Sequence, residues 1–450
     1  MNLHSMLLQR EANGNPVQVG LIGAGKFASM YLSQAVRTPG VHIAGVCDLE
    51  PERARAALLN TGWPADRLEA ESFDRAIQDR SVHLSADTDA LISAGGIDVI
   101  IDATGDPAAG IRHALACIDA GKHIVMVNVE ADVLAGPLLA ERARAAGVVY
   151  SLAYGDQPAL IAELADWCRT VGFEVTCAGK GTKYLPEYHA STPDTVWGYY
   201  GLTPEQAREG GMNPKMFNSF LDGTKSGIEM AAVANATGLS APQDGLGFPP
   251  CSVDALPEVL KPRSVGGTLD RAGTVEVVSS LERDGTAIEH DLRWGVYVTF
   301  EAPSDYVARC FREYGLVTDS SGRYSSLYRR HHLIGLELGI SVASAALRGE
   351  PTGTPRGFNA DVVATAKRDL KPGEKLDGEG GYTVWGRLMP ATASLDLGGL
   401  PIGLASGVTL RQAVMQGAPI RWTDVDIDET TQAADIRRQL EASAGTRQAA

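Results

Sequence analysis

"VQVGLIGAGKFASMYL", residues 17–32, opens as a largely apolar run and passes across a glycine-rich hinge into a helical pattern. Gly23, Gly25 and Ala28 stand in the spacing G-x-G-x-x-[GA]. Each position has a steric reason: the first glycine permits a tight turn, the second lets backbone approach a pyrophosphate, and the small third residue lets the helix pack closely on the strand. The helix that begins there turns free N–H groups and the positive end of its dipole toward phosphates. Lys26 and Phe27, in the same opening turn, join the candidate nucleotide contacts.

Working outward, "HIAGVCD", "IDVIIDATG", "HIVMVNV" and "GVVYSLAY" repeat the pattern of short apolar strands separated by helical stretches. Strands covered on both faces read as continuous apolar runs, so this rhythm predicts a doubly wound parallel sheet, a Rossmann-type α/β domain over residues 1–155. Asp48 closes the second strand, where an acid accepts hydrogen bonds from a ribose hydroxyl. Its charge would repel a 2'-phosphate and favours NAD, while nearby Arg53 offers a route to NADP. Ligands of open parallel sheets bind beyond the carboxyl ends of the strands, which adds Thr104, Gly105, Asn128 and Glu130 as cofactor candidates.

The chain has 450 residues, enough for two or three domains. Its net charge of -15 argues against nucleic acid and anionic membrane surfaces as partners, and no apolar run reaches membrane-spanning length. Six scattered cysteines lack zinc-ligand spacing or a paired framework, and the first residues lack a secretion signal, so a reducing, cytoplasmic setting is expected. Residues 156–355 read as a central substrate domain of antiparallel strands and long loops. Within it, "SSLYRRHHLIGLELGISVASAALRG" reads as one strong helix that returns toward the first domain. Short strands after "PTGTPRG" suggest a small β-rich unit over 356–430, followed by a polar tail over 431–450, a frayed helix or disorder.

The reaction candidates lie in the central part. Asp156 sits in "AYGDQPALIAELADWC", where it either starts a helix or joins the reaction site. Hydride transfer needs a group that polarises the carbonyl oxygen, and a desolvated lysine serves. Lys180 and Lys183 in "AGKGTKY", and Lys225 in "NPKMFNSFLDGTKSGIEM", are the candidates, with Lys225 one turn before Glu229 on a helix. Asn218, Ser219 and Ser226 complete a candidate substrate cradle near that helix start, and a small molecule is the expected partner.

Taken together, the glycine hinge, "AGKGTKYLP", "FLDGTKSGIEMAAVANATGL", "DLRWGVYVTFEAP" and "VVATAKRDLKPGEKLDGEGGYTVWGRLMPA" resemble homoserine-dehydrogenase-like oxidoreductases with a C-terminal SAF domain. One branch of these is the 1-deoxy-D-xylulose 5-phosphate reductoisomerase-like enzymes. The resemblance implies NADPH-linked chemistry, a SAF-type β-clip domain, homo-oligomers and a divalent cation such as Mg or Mn, for which Asp156 and Glu229 are the available carboxylates. The fifth strand here runs into "VNVEAD", with Glu130 and no lysine, unlike related sugar oxidoreductases, so a catalytic lysine would come from 180, 183 or 225. A homoserine-like or sugar-acid dehydrogenase without rearrangement, and a non-enzymatic dinucleotide or carbohydrate sensor, are the alternatives.

Overall fold

A computed structural model describes residues 2–449. The chain divides into two compact units, residues 1–160 with 332–356, and residues 161–331 with 357–450. In the first, strands β1 (Val17–Ile22), β2 (Val41–Cys47), β3 (His83–Ser85), β4 (Val99–Asp102), β5 (His123–Met126) and β6 (Tyr150–Leu152) form one parallel sheet in the order β3-β2-β1-β4-β5-β6. Every residue of β1 and of β4 is buried, which is why both read as largely apolar runs, with Gln18 and Asp102 as their buried polar members. The strand order reverses between β1 and β4, and such a switch point opens a crevice at the carboxyl ends. Gly23 and Thr104 stand immediately beyond those two ends.

Helix Gly339–Arg348 completes this unit, burying Val342, Ala343 and Ala345 in the same core as Val17, Leu32 and Val99. The long helix expected from residue 325 to 349 is not formed. Its first part is a strand, Tyr324–Arg329, and an irregular segment carrying His331 and His332 follows before the helix begins at Gly339. Gly335, at φ +73°, takes a left-handed conformation that interrupts helical backbone. The strand exists because a neighbour pairs with it residue for residue.

That neighbour belongs to the second unit, whose sheet comprises β7 (Glu174–Thr182), β8 (Thr274–Ser279), β9 (Val296–Glu301) and β10 (Tyr324–Arg329), in the order β10-β9-β7-β8. The sheet is mixed rather than antiparallel: β7 and β8 run parallel, while β9 is antiparallel to β7 and to β10. Parallel neighbours need a long crossover, and the loop-rich stretch between β7 and β8 provides it. That crossover contains helix Thr224–Thr237, almost wholly buried, which packs against β7 and β8.

The same helix packs against β11 (Ala360–Ala366) and, after β12 (Lys375–Asp377), against β13 (Val384–Pro390). β11 and β13 pair antiparallel, and β14 (Ser406–Leu410) joins β12 to β15 (Val425–Asp426) in a second small sheet. Residues 357–450, read from the sequence as a separate β-rich unit and tail, therefore share one compact unit with residues 161–331. The tail is an 18-residue helix, Gln432–Ala449. Arg437 on it is fully buried and forks onto Asp361 of β11 at 3.0 and 2.5 Å, with Nε donating to Glu441 at 2.9 Å. Bidentate pairing of this kind fixes orientation as well as charge.

In the first unit, Asp132 is wholly buried within helix Val129–Ala145. The Tyr150 hydroxyl donates to one oxygen at 3.0 Å, and the other oxygen has no partner among the described residues. Burial pushes its carboxyl up to about 7 from an ordinary 3.8. Because the folded value lies above the unfolded one, the folded chain holds a proton that the unfolded chain releases, so stability falls as pH rises through this window. Asp132→Asn, which mimics the protonated acid, is expected to raise stability at pH 8 by roughly 2–4 kcal/mol and by less at pH 5. Thermal unfolding at both pH values tests this, and an equal shift at the two would refute it.

Candidate functional site

The glycine hinge has the geometry that its spacing demands. Gly23 has φ +93°, and a Cβ there would lie 2.7 Å from the carbonyl oxygen of Ala103, so only glycine fits. Gly25 is different: its backbone is extended, and a Cβ would meet nothing within 4 Å. It precedes helix Lys26–Ala35, whose first N–H groups receive no side-chain cap. Open space above uncapped N–H groups suits a pyrophosphate. Lys26 is exposed and Phe27 half-buried in that first turn.

Asp48 is tied into the hinge. One carboxylate oxygen accepts the Ala24 N–H at 2.8 Å and the Arg53 guanidinium at 2.7 Å, and the other accepts the Glu50 N–H at 3.0 Å. Burial opposes ionisation, but these three donors outweigh it and hold the carboxyl below its usual range. Arg53 thus neutralises the acid while its own side chain stays 56% exposed.

The ends of β4 and β5 are cross-linked. Asp102 accepts the Thr104 N–H at 2.9 Å and its hydroxyl at 2.7 Å, and its second oxygen meets His113 Nδ1 at 2.7 Å. Asn128 caps the helix that follows by accepting the Ala131 N–H at 3.0 Å, and its amide donates to the Asp106 carbonyl at 2.7 Å and to Thr104 at 3.2 Å. Gly105 has φ +73°, and Glu130 is half-buried in the first turn after Asn128. Sequence reasoning missed Asp102 and His113, whose only trace was an acid inside "IIDATG". Asp156, preceded by Gly155 at φ +93°, accepts the N–H of Gln157 at 2.9 Å at the start of helix Gln157–Thr170.

In the second unit, β7 carries Lys180 and helix Thr224–Thr237 carries Glu229, and the two form a buried ion pair in which the ammonium donates to the carboxylate. Lys180 is 5% and Glu229 2% exposed. Lys225 stands one turn before Glu229, half-buried. The sequence associates Glu229 with Lys225; the fold brings it to Lys180 as well.

The remaining cradle candidates are engaged with protein. Asn218 is fully buried: its amide donates to the carbonyls of Ser191 and Gly380 at 3.1 and 3.0 Å and its oxygen accepts the Ser191 hydroxyl at 2.7 Å. The Ser219 hydroxyl donates to Glu379. Lys183 donates to the Tyr199 carbonyl at 2.5 Å, and burial lowers its pKa. Ser226 is buried, and its hydroxyl has no partner among the described residues. Lys367, which the sequence did not single out, pairs with buried Asp222 at 2.7 Å and donates to the Ser191 and Gly381 carbonyls at 2.7 Å each. Among the described residues, no group of three or more His, Cys, Asp or Glu side chains is placed to hold a metal ion.

Residues 17–128 match the GFO/IDH/MocA profile, described as an oxidoreductase family with an NAD-binding Rossmann fold. Residues 155–338 match a second profile, described as the catalytic domain of oxidoreductase DRL. The chain is an NAD(P)-dependent oxidoreductase. Its cofactor candidates from Gly23 to Asn128 fall in the first span, with Glu130 just beyond, and all its catalytic and substrate candidates fall in the second. The homoserine-dehydrogenase-like relationship, the SAF-type domain and the rearrangement chemistry have no counterpart in these matches. No curated protein matches the oxidoreductase. Among solved structures, it is similar to a probable dehydrogenase from Thermotoga maritima (13% identity, 74% of this chain and 90% of that one, TM-score 0.37). It is also similar to myo-inositol dehydrogenase from Lactobacillus casei in complex with NAD(H) and myo-inositol (15%, 63% and 71%, TM-score 0.33). A third is an NAD binding oxidoreductase from Klebsiella pneumoniae, of which the alignment spans about half (18%, 39% and 47%, TM-score 0.28).

Proposed function

We propose that the enzyme transfers a hydride between NAD(P) and a small polyhydroxylated or phosphorylated carbonyl compound. The observation that carries this reading is the buried Lys180–Glu229 pair with Lys225 one turn away, inside the span matched by a catalytic-domain profile. The bound nicotinamide supplies or accepts the hydride. Lys225, in the first turn of helix Thr224–Thr237, would set its charge against negative charge developing on a carbonyl oxygen, while the Thr224 N–H of the same turn is taken by Asp222 at 2.9 Å. Lys180 is engaged by Glu229 in the buried pair, which makes that lysine a positioning residue. Asp156 is proposed as an acid–base group in addition to its hydrogen bond to Gln157.

A more specific reading, taken from the sequence resemblance, is rearrangement of 1-deoxy-D-xylulose 5-phosphate before hydride delivery. A screen of keto-phosphates, aldoses and hydroxy acids against both cofactors, with product analysis, tests the general reading and the specific one together. Turnover without a rearranged product retains only the first, and absence of turnover across the screen counts against both. A homo-oligomeric assembly is part of the proposal, and its test is the mass in solution.

Cofactor choice should follow the Asp48–Arg53 pair. Asp48→Ser removes the ribose acceptor and is expected to shift preference toward NADP, while Arg53→Leu leaves the acid unneutralised and shifts it toward NAD. Each shift is expected at roughly tenfold or more in kcat/KM, the scale of one lost charge-assisted contact. Unchanged ratios in both variants would transfer the choice to other residues.

A further inference from the structure

The second unit also holds a half-open cavity of about 220 Å³, lined by His189, Gly223, Asp244, Gly245, Trp385 and Arg387 among others. None of the lysines or acids proposed for hydride transfer lines it. Its walls are aromatic and fixed. His189 stacks on Trp385 with ring centroids 4.0 Å apart and 24° between planes. Both imidazole nitrogens are committed, Nδ1 to the Asp222 carbonyl at 2.7 Å and Nε2 to the Tyr184 hydroxyl at 3.0 Å. Burial lowers the pKa of His189, so this wall is uncharged near neutral pH. Phe248, also on the cavity, stacks on Tyr184 at 3.9 Å and 13°. Its loop is clamped by buried Glu276, which accepts the N–H groups of Gly247 and Phe248 at 3.0 and 3.3 Å.

The charged group of the lining that could meet an anion is Arg387. One of its amino groups donates to the Asp244 carbonyl at 2.9 Å, and its other donors have no acceptor among the described residues. Asp244 itself is exposed, and its carboxylate is the acidic group of the lining. Beside these, Leu246, Leu388 and Phe248 supply apolar surface to the lining. Flat rings favour offset stacking on aromatic faces, and a guanidinium fork matches a carboxylate.

We infer that this cavity binds a small planar aromatic carboxylate, its ring against the His189–Trp385 stack and its carboxylate on the unused donors of Arg387. None of the side chains named for hydride transfer lines the site, although Gly223, the residue before helix Thr224–Thr237, does.

Calorimetric titration of the full-length protein with benzoate is expected to show saturable binding at one site per chain. Cyclohexanecarboxylate, with the same charge but no flat ring, and benzyl alcohol, with the ring but no charge, are each expected to bind more weakly. Arg387→Met should weaken benzoate about tenfold or more, the usual scale for a lost charge-assisted hydrogen bond, and leave benzyl alcohol unaffected. Arg387→Lys, which keeps the charge, should retain part of the benzoate affinity and guards against a folding defect in the methionine variant. Absence of saturable benzoate binding, equal affinity for cyclohexanecarboxylate, or benzoate binding that survives Arg387→Met in a chain of unchanged melting temperature would overturn the assignment.

Discussion

Gly25→Val will leave the chain folded and abolish nicotinamide-nucleotide binding. The expectation rests on the contrast between two glycines two residues apart. Gly23 is held at φ +93° against the Ala103 carbonyl, so any side chain there strains the backbone and collides with protein. Gly25 has φ -76° and ψ -165°, a conformation any residue adopts, and open space where a Cβ would stand. The Cβ of a valine there meets no protein atom within 4 Å, and its methyl groups extend into the volume that a pyrophosphate needs beside the N–H groups of helix Lys26–Ala35. Gly25 is also the N-cap of that helix, where valine is disfavoured, so the melting temperature without cofactor should fall by only a few degrees, a cost of about 1 kcal/mol. NAD(P)H affinity, read by fluorescence titration, should fall by roughly a hundredfold or more, because phosphate and backbone cannot approach. Retained affinity in the folded variant would mean that the nucleotide binds elsewhere. Loss of folding would mean that the space is needed by the protein itself.

The first unit was legible because its signals are local. A strand, a turn and a helix start are each written within a few residues, so "VQVGLIGAGKFASMYL" and the four strands after it predicted the parallel sheet, and Asp48 followed from its place at a strand end. What the sequence concealed depends on distant partners. Residues 325–349 space their apolar side chains as a helix would, and only pairing with β9 makes a strand of Tyr324–Arg329. The parallel pairing of β7 and β8 is likewise decided by their crossover rather than by either strand. Arg437 gave no sign from an Ala-rich tail that it would be buried, since its partner Asp361 lies on β11, with four further strands between them in the chain. At the candidate site the residue types were readable but their pairing was not. Lys180 and Glu229 were each singled out, yet only the fold joins them. Asn218 and Ser219 looked available for substrate because nothing in their neighbourhood announced Ser191, Gly380 and Glu379 as partners.

Lys225→Met will separate the proposed reaction from a structural role for the lysines. Lys180 is nearly inaccessible and its ammonium is held by Glu229, whereas Lys225 is half-buried at the start of the same helix that carries Glu229. A group that acts on substrate must be reachable, and of the two lysines Lys225 is the more exposed. If it stabilises charge on the reacting oxygen, its loss should lower kcat about a hundredfold or more, the usual scale for removing one such donor, while NAD(P)H affinity is unchanged. If it anchors a substrate phosphate or carboxylate, the loss should fall on KM and spare kcat. Lys225→Arg distinguishes a compact ammonium from charge alone, because a planar fork fills space that a tight site reserves for substrate. Rescue of KM but not of kcat by arginine would support the donor role. Wild-type values of both parameters in Lys225→Met would remove this residue from the mechanism and make Lys180 the stronger candidate.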